Sequence, residues 1–328
     1  MKEITYRDAI REAIQEEMER DETVFIMGED VGVYGNIFGI TKGFIEKFGK
    51  ERVRDTPLSE TAILGCAVGA AMTGLRPIAE IMYVDFTGVC FDQIINQAAK
   101  MRFMSGGKIK VPLVIRTNGM GAGFQAAAQH SQCLEALFMH IPGIKVVLPS
   151  TPYDAKGLLK TSIRDDDPVI YLEHKLLYFT KGLIPEEEYT IPLGIADIKR
   201  IGDDITVIAT QAMIHKVLKV AETFAKKGIE IEVIDPRTLY PLDVRTILDS
   251  VKKTGKVLIV TEECKFGGSG AEIAAIIAEK AFNHLKAPIG RIGAPNIPVP
   301  FSPPLEEFYI PSERKIEETI QNILKHSN

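Results

Sequence analysis

The segment Asp55-Thr-Pro-Leu-Ser-Glu60, followed by the glycine- and alanine-rich run 61–74, decides how this chain is interpreted. It places the carboxylate of Glu60 at the start of an apolar helix predicted over Thr61–Thr73. Burial disfavours the charged form of a carboxylate, so a shielded Glu60 would exchange a proton near neutral pH. The alternative is a first-turn residue capped by Ser59 and stabilised by the helix dipole. Taken alone, the segment favours this alternative.

Two further polar loops follow predicted strands. Gly28-Glu29-Asp30 comes directly after the apolar run Val24–Met27, and the polar stretch 127–132 follows a glycine cluster at 119–123. In open α/β sheets, ligands bind outside the carboxyl ends of the strands. We therefore expect these loops and the Glu60 segment to converge on one crevice.

The composition limits which classes of protein this chain can belong to. The 328 residues are enough for two domains, and 45% hydrophobic with 25% charged residues is typical of a globular protein. A net charge of -5, without a basic stripe, argues against nucleic acid as a partner. No signal peptide or membrane-spanning run is found, which predicts a cytoplasmic protein.

The four cysteines are scattered. Cys66, Cys90, Cys133 and Cys264 lack C-x-x-C spacing and lie mostly in apolar surroundings. We expect small buried side chains in a reducing compartment.

The first half alternates helix and strand signals. Thr5 to Asp8 resembles a capping box, and Thr151 with Pro152 marks the start of another helix. The predicted strands are Val24–Met27, Pro77–Val84, Val111–Arg116, Lys145–Leu148 and Val169–Leu172, and the predicted helices, besides Thr61–Thr73, are Phe86–Met104, Leu134–His140 and Pro152–Ile163. This alternation predicts an α/β fold with a mostly parallel sheet covered on both faces.

The periodicity fades between about 175 and 200 and then resumes. We predict a first domain over 1–175, a linker over 176–200 and a second, smaller doubly wound domain over 201–328. The second domain is predicted from strands at Ile205–Ala209, Glu230–Ile234, Val257–Thr261 and Ile289–Ile292, and helices at Met213–Lys227, Asp243–Lys253, Ser269–Phe282 and Ser312–Lys325.

Several common site motifs are incomplete or absent. Gly268-x-Gly270 and Gly119-x-Gly121 both lack the third small residue of a dinucleotide fingerprint, because Ile273 and Phe124 stand there. Walker A, H-E-x-x-H and G-x-S-x-G patterns do not occur. These absences argue against the commonest nucleotide, zinc-hydrolase and serine-hydrolase sites.

Motifs in both halves carry a family resemblance. They are Gly28-Glu-Asp30, Asp55-Thr-Pro-Leu-Ser-Glu60, Gly74-Leu-Arg-Pro-Ile78, Phe91-Asp-Gln-Ile-Ile-Asn-Gln97, Gln129-His-Ser-Gln132, Ile163-Arg-Asp-Asp-Asp-Pro168 and Asp235-Pro-Arg-Thr238. From about Ile4 to Ile323 the chain resembles the β subunit of the thiamine-diphosphate-dependent dehydrogenases. These form the first component of acetoin and 2-oxo acid dehydrogenase complexes. The resemblance implies a transketolase-type pyrimidine-binding domain followed by a transketolase C-terminal-like domain.

The resemblance also implies roles for individual residues. Glu60 matches the family acid that hydrogen-bonds the aminopyrimidine ring of thiamine diphosphate and promotes its imino tautomer. Glu29 matches a second acid near the cofactor, Phe86 an aromatic packed on the pyrimidine, and Leu58 is expected to bind the cofactor as well. For Phe86, the alternative is a core residue that opens a buried helix.

A histidine and a cation site complete the implied set. His130 matches the histidine that faces the thiazolium carbon and assists acyl transfer to lipoamide, and a histidine titrates near neutral pH. Some family members hold potassium at positions that match Leu113, Ser162, Ile163, Asp165 and Asp167, largely through backbone oxygens. The alternative for the acidic residues of this turn is that they are simply solvated.

The chain departs from a complete thiamine enzyme in one respect. It lacks the Gly-Asp-Gly motif, followed about thirty residues later by Asn, that holds magnesium and the diphosphate. In the family this motif belongs to an α subunit. The resemblance therefore implies an assembly of two α and two β chains that serves a lipoyl acyltransferase core.

The stretch 81–97 looks most like acetoin dehydrogenase β subunits. For such a protein the resemblance implies acetoin cleavage through a hydroxyethyl-thiamine diphosphate intermediate and acetyl transfer to lipoamide. Pyruvate or a branched 2-oxo acid is the alternative substrate. A split transketolase half and a non-catalytic scaffold are further alternatives, although a scaffold needs neither Glu60 nor His130.

Overall fold

The computed structural model describes residues 1–326 and divides the chain into two compact units. Unit 1 comprises Met1–Met120 and Leu137–Leu193. Unit 2 comprises Gly121–Ala136 and the chain from Gly194 onward. The loop 121–136 therefore groups with unit 2, which the predicted division near residue 175 does not anticipate.

Unit 1 contains a parallel sheet of buried strands. The strands of unit 1 are β1 (Lys2–Thr5), β2 (Val24–Gly28), β3 (Val53–Asp55), β4 (Arg76–Ile81), β5 (Val114–Met120), β6 (Lys145–Val147), β7 (Val169–His174) and β8 (Lys181–Ile184). Within this unit the sheet runs in the order β6-β7-β5-β4-β2-β3, with each adjacent pair parallel. Strands β1 and β8 form a separate antiparallel pair. Every residue of β2, β5 and β7 is buried, as expected for a sheet covered on both faces.

The helices of the first half begin mostly where the sequence predicts. They are α1 (Tyr6–Arg20), α2 (Phe44–Phe48), α3 (Glu60–Met72), α4 (Ala99–Met104), α5 (Glu135–Met139) and α6 (Pro152–Arg164). The side chains of Thr5 and Thr151 accept the backbone N–H groups of Asp8 and Asp154, each at 3.1 Å. Both predicted helix starts are thus confirmed, because each cap binds a donor of the first turn.

The single helix predicted over Phe86–Met104 is wrong. A 3₁₀ turn covers Val84–Gly88, a π-helical segment covers Gln93–Ala98, and α4 follows directly. Gly88, a weak helix former, ends the 3₁₀ turn.

Unit 2 has a smaller sheet with helices packed against it. Its strands are β9 (Asp197–Arg200), β10 (Ile205–Ala209), β11 (Ile231–Asp235), β12 (Thr238–Tyr240), β13 (Val257–Cys264) and β14 (Gly290–Ala294), and its helices are α7 (Ala212–Ala225), α8 (Val244–Thr254), α9 (Ser269–Ala281), α10 (Pro303–Tyr309) and α11 (Glu313–Lys325). The sheet order is β14-β13-β10-β11-β9, and only β9 is antiparallel to its neighbour. The predicted fold class, α/β with mostly parallel sheets, is confirmed.

Two features differ from expectation. The stretch expected to be a linker, 176–200, contains β8 and β9, which are too short to show a pattern in the sequence. Cys66 is exposed rather than buried, because one side of α3 faces outward. Within residues 1–326, no helix combines the length and the apolar character needed to span a membrane.

Candidate active site

Three carboxylates lie at the carboxyl edge of the parallel sheet in unit 1. Glu29 directly follows β2, Glu80 lies near the end of the adjacent strand β4, and Glu60 begins the helix after β3. Parallel neighbours end on the same edge of a sheet, so their terminal residues share one crevice. The structure thus brings Glu29 and Glu60 together, as the sequence predicts.

Glu29 is the most perturbed of the three. Its side chain is 8% exposed, and one carboxylate oxygen, Oε1, is buried without a hydrogen-bond partner. Burial, followed by the negative charges of Glu60, Asp30 and Glu80, raises the pKa of Glu29 to about 7. Glu29 is therefore poised to exchange a proton near neutral pH, a property that the sequence analysis assigned to Glu60.

Glu60 is half-buried at the first position of α3. The Ser59 side chain makes no capping hydrogen bond, so the interpretation of Glu60 as the first turn of a Ser-capped helix is wrong in that respect. The charge of Glu60 acts on Glu29 and also on Cys90, whose thiol pKa is raised to about 12 mainly by burial. Glu60 therefore lies close enough to Glu29 and Cys90 for its charge to act on both.

Two residues expected to bind the cofactor differ in environment. Phe86 is half-buried in the 3₁₀ turn, and its ring contacts that of Tyr83 edge-on, with 6.4 Å between centroids. Leu58 is 81% exposed, two residues before Glu60. An exposed leucine near a half-buried acid provides apolar surface for a ligand or a partner chain.

The loop after Glu29 is held by two acceptors. The Asp55 carboxylate accepts the N–H groups of Gly32 at 2.5 Å and Val33 at 2.9 Å. A Cβ atom at Gly32 would lie 2.7 Å from an Asp55 oxygen, so only glycine allows this approach. The Asn36 side chain donates to Glu80, which ties the same loop to β4. These bonds fix the chain that leaves Glu29.

A buried ion network, which was not predicted from the sequence, lies beneath this edge. Arg116 on β5 is completely buried and pairs with Glu80 and Glu173 on the neighbouring strands. Asn118 donates to Glu80 at 2.8 Å, and Tyr178 donates to Glu173 at 2.7 Å. Desolvation lowers the pKa of Arg116, but its two carboxylate partners outweigh that effect, so the guanidinium stays charged.

A signal for this network is present in the sequence. Glu80 interrupts an apolar run within a predicted strand, and Arg116 is the last residue of another predicted strand whose other residues are apolar. Charged side chains are almost never fully buried unless they are paired. A charge inside a predicted buried strand therefore indicates a partner on an adjacent strand.

The residues expected to hold potassium lie close together, but their oxygens already have protein donors. Arg76 donates to the carbonyl oxygens of Ile163 at 3.1 Å and Asp165 at 3.0 Å. The carbonyl of Leu113 accepts a backbone N–H at 2.9 Å, and that of Ser162 accepts the Asp165 N–H at 3.3 Å.

The acidic side chains of this turn are also paired. Lys145 lies 2.6 Å from Asp165 and 3.3 Å from Asp167, and Arg102 binds Asp167 as well. A potassium ion at these oxygens would face the positive charges of the protein itself. Potassium at this turn stays a prediction. Across residues 1–326, no group of three or more His, Cys, Asp or Glu side chains is arranged to hold a metal.

His130 belongs to unit 2, whereas Glu60 belongs to unit 1. His130 is half-buried in the loop 121–136. Gln125 and Ala127, two non-glycine residues of this loop, have φ of +52° and +61°. Such left-handed conformations cost energy and persist where the surrounding structure imposes them.

Unit 2 also buries a pair of carboxylates that the sequence analysis did not identify. Glu135 begins α5 and Glu263 lies near the end of β13, and both side chains are almost completely buried. Burial and the charge of its partner raise the pKa of Glu135 well above the ordinary value. Burial likewise raises the pKa of Glu263, although the N–H and hydroxyl of Ser269 bind its Oε1. Oε2 of each carboxylate has no hydrogen-bond partner, so one shared proton would satisfy both oxygens.

Comparison with protein families gives two matches that together span most of the chain. The family model "Transketolase, pyrimidine binding domain" matches residues 2–181, and "Transketolase, C-terminal domain" matches residues 194–316. A solved structure described as "Split gene transketolase, inactive beta4 tetramer" superposes with a TM-score of 0.81 at 21% identity. That match covers 99% of this chain and all of the other, and it supports the fold.

Curated relatives cover the chain from end to end. It is 50% identical to the acetoin:2,6-dichlorophenolindophenol oxidoreductase subunit beta of Cupriavidus necator, over 99% of this chain and 98% of the relative. The protein of the same name from Bacillus subtilis is also 50% identical, over 95% of each chain. The 2-oxoisovalerate dehydrogenase subunit beta of Bacillus subtilis is 48% identical, over 98% of this chain and 99% of the relative.

Proposed function

This chain belongs to the family of β subunits of thiamine-diphosphate-dependent dehydrogenases, and we propose that it is the β subunit of an acetoin dehydrogenase component. Its proposed partners are an α subunit, in an assembly of two α and two β chains, and a lipoyl acyltransferase. The observation that carries the proposal is the pairing of Glu60 with Glu29, a buried acid whose pKa is raised to about 7.

The acids of unit 1 fit an aminopyrimidine ring. When bound, thiamine diphosphate supplies a thiazolium carbon that attacks a carbonyl and accepts the electrons of the cleaved carbon–carbon bond. Glu60 would bind a ring nitrogen and share a proton with it. Glu29, whose buried Oε1 has no hydrogen-bond partner among residues 1–326, would keep the local negative charge low by holding a proton. Phe86 would pack against the ring.

His130 is assigned to the transfer of the acyl group. In that step the disulfide of lipoamide would break, and one of its sulfurs would take the acyl group from the cofactor. The other sulfur takes a proton and becomes a thiol, so the two electrons of the oxidation end on the lipoamide sulfurs. A histidine is suited to deliver this proton because it titrates near neutral pH.

The diphosphate and magnesium are assigned to the α subunit, because this chain lacks the motif that binds them. The purified β chain should therefore show no turnover and no tight binding of thiamine diphosphate. Calorimetry on the β chain alone, and again after addition of the α subunit, tests this assignment. Micromolar binding by the β chain alone would contradict it.

Acetoin is neutral, whereas a pyruvate site needs charge-assisted donors for a carboxylate. In the described part of unit 1, the charged groups that act on Glu29 are acids, and none of them is a basic side chain. With an artificial electron acceptor, the two-subunit enzyme should show a higher kcat/KM for acetoin than for pyruvate. A preference for pyruvate would reassign the substrate while leaving the roles of Glu60 and His130 intact.

The second candidate is a pyruvate or branched-chain 2-oxo acid dehydrogenase β subunit. The observation that favours it is the 48% identity to a 2-oxoisovalerate dehydrogenase subunit beta, which is close to the values for the acetoin enzymes. Including 2-oxoisovalerate in the same assay separates the three substrates.

Glu60 provides the test of the cofactor chemistry. Glu60→Gln should leave the assembly intact but slow proton exchange at the thiazolium carbon by roughly 100- to 10,000-fold, the usual cost of losing a positioned acid or base. Exchange can be followed by deuterium incorporation into bound cofactor. Near-normal exchange would show that Glu60 is not the group that activates the ring.

A further inference from the structure

The loop 121–136 needs external support for its conformation. Gln125 and Ala127 both adopt left-handed backbone angles. They are preceded by Gly121 and Gly123, whose φ angles are +90° and +100°. A non-glycine residue in this region is unfavourable by about 1–2 kcal/mol. The groups that bind this backbone therefore determine where His130 is held.

Glu306 is the first of these groups. It lies on α10, its side chain is 4% exposed, and its Oε1 accepts the Gly123 N–H at 2.7 Å. The same carboxylate accepts the N–H of Gln125, at 3.2 Å to Oε1 and 3.1 Å to Oε2. Charge-assisted hydrogen bonds are stronger than neutral ones. Glu306 thus binds one of the two strained non-glycine residues directly.

Glu262 is the second group. It lies on β13, also 4% exposed, and its Oε1 accepts the Ala122 N–H at 2.7 Å. The Ala122 side chain packs into a buried apolar cluster with Val299 and Tyr309. Hydrogen bonding and packing therefore fix the loop at the residue before the one that Glu306 binds.

The two ends of the loop are also joined. The Gly121 N–H donates to the carbonyl of Gln132 at 3.2 Å. His130 lies between this closure and the residues bound by Glu262 and Glu306. Its position is thus set by the backbone on both sides, within unit 2.

We propose that Glu262 and Glu306 are positioning residues for His130, and that acyl transfer to lipoamide depends on them through the backbone of loop 121–136. The proposal rests on the function proposed above for His130. A merely stabilising role would instead lower every activity of the enzyme in proportion to the amount of folded protein.

The test compares variants of the assembled α and β enzyme. Glu306→Ala removes both acceptor oxygens, whereas Glu306→Gln keeps a carbonyl oxygen at Oε1, the atom within reach of both N–H groups. The matched control is Glu232→Ala, which removes another buried carboxylate of unit 2 that accepts a different backbone N–H, that of Gly202.

The first measurement is hydrogen–deuterium exchange by mass spectrometry. Glu306→Ala should speed exchange in peptides that cover 121–130 by roughly tenfold, the effect expected from the loss of a charged hydrogen bond. Glu262→Ala should do the same, while Glu306→Gln and Glu232→Ala leave these peptides close to wild type. Unchanged exchange in Glu306→Ala would overturn the proposal without any reference to activity.

The second measurement is the ratio of two rates, acylation of a lipoylated acyltransferase domain and reduction of an artificial electron acceptor. Glu306→Ala should lower the acylation rate by roughly 10- to 100-fold more than the dye rate, as misplacement of a reacting group commonly does. Glu306→Gln should restore most of the ratio. Equal losses in both assays, or the same change in Glu232→Ala, would overturn the proposal.

His130→Asn separates this proposal from the broader assignment. If that variant acylates the lipoyl domain normally, His130 has no role in the step and the proposal fails with it. If wild type prefers pyruvate to acetoin, only the substrate assignment fails, and the same ratios are measured with pyruvate.

Discussion

Units 1 and 2 both bury carboxylates near the ends of their strands, but different groups balance the charge. In unit 1, Glu80 and Glu173 flank Arg116, which is completely buried between them. In unit 2, Glu135 and Glu263 form no ion pair with any Lys, Arg or His among residues 1–326. Backbone N–H groups bind Glu263, and a proton shared by the two carboxyl groups would take the place of a cation.

The difference predicts how each unit responds to mutation and to pH. A guanidinium keeps its charge at every accessible pH, so the Glu80–Arg116–Glu173 network depends on Arg116, although burial also raises the pKa of Glu173 to about 7. A carboxyl pair that shares a proton must lose it as the pH rises. Unit 1 should therefore be the more sensitive to the loss of a single arginine. Alkaline pH should act in unit 2 through Glu135 and Glu263, and in unit 1 through Glu29.

The largest expected effect comes from Arg116→Met. The substitution leaves two buried carboxylates facing each other without a cation, and breaking a buried ion pair in this way typically costs about 3–5 kcal/mol. Urea denaturation of the purified chain at pH 7, followed by circular dichroism, measures the change in the free energy of unfolding.

An exposed arginine provides the control. Arg314→Met removes the partner of Glu318 on the surface of α11, and a surface pair of this kind contributes about 0–1 kcal/mol. If Arg116→Met and Arg314→Met were equally stable, the buried network would not hold unit 1 together.

The next effect concerns Glu135→Gln. The folded-state pKa of Glu135 lies above its unfolded value, so the stability it contributes is present below pH 4.5 and is lost as the pH rises through the folded pKa. Glutamine is neutral and its amide can donate to Glu263. We expect the variant to be more stable than wild type at pH 8 and nearly equal to it at pH 4.5.

Two variants sharpen this test. Glu279→Gln, exposed on α9, should change the free energy of unfolding little at either pH. Glu263→Gln should stabilise less than Glu135→Gln, because Glu263 accepts the Ser269 N–H and hydroxyl as a carboxylate. A wild-type stability that stays constant between pH 4.5 and 8 would contradict a shared proton.

The smallest effect is expected at Glu29. Its pKa is raised to about 7, so its contribution to stability is complete below pH 4.5 and disappears as the pH rises through about 7. Glu29→Gln should stabilise the chain by about 1–2 kcal/mol at pH 8, because the neutral amide removes the repulsion from Glu60, Asp30 and Glu80. Thermal unfolding at pH 5, 7 and 8 measures the slope, and parallel curves for wild type and variant would contradict the raised pKa.

Local patterns predicted the helices and strands well. The caps of α1 and α6 were readable because Thr5 and Thr151 bind donors only three residues away. The buried strands were readable because their apolar runs are continuous. The Glu29 and Glu60 pair was predicted because both residues follow strands that end at one edge of the sheet.

Long-range partners could not be predicted in the same way. Arg116 is separated by 36 residues from Glu80 and by 57 from Glu173, so no local pattern connects them. The acceptors of the His130 loop lie still further along the chain, 140 residues from Ala122 for Glu262 and 183 from Gly123 for Glu306. The raised pKa of Glu29 was missed for the same reason, since it depends on burial and on three neighbouring charges.

The grouping of residues 121–136 with unit 2 bears on how chimeric enzymes are built. The chain enters unit 2 once through this loop, returns to unit 1 at Leu137, and enters unit 2 again at Gly194. A hybrid joined at residue 194 inherits the loop from one parent and Glu262 and Glu306 from the other. Recombination between relatives must therefore exchange the loop and the chain from Gly194 onward as one set, even though nearly sixty residues separate them in sequence.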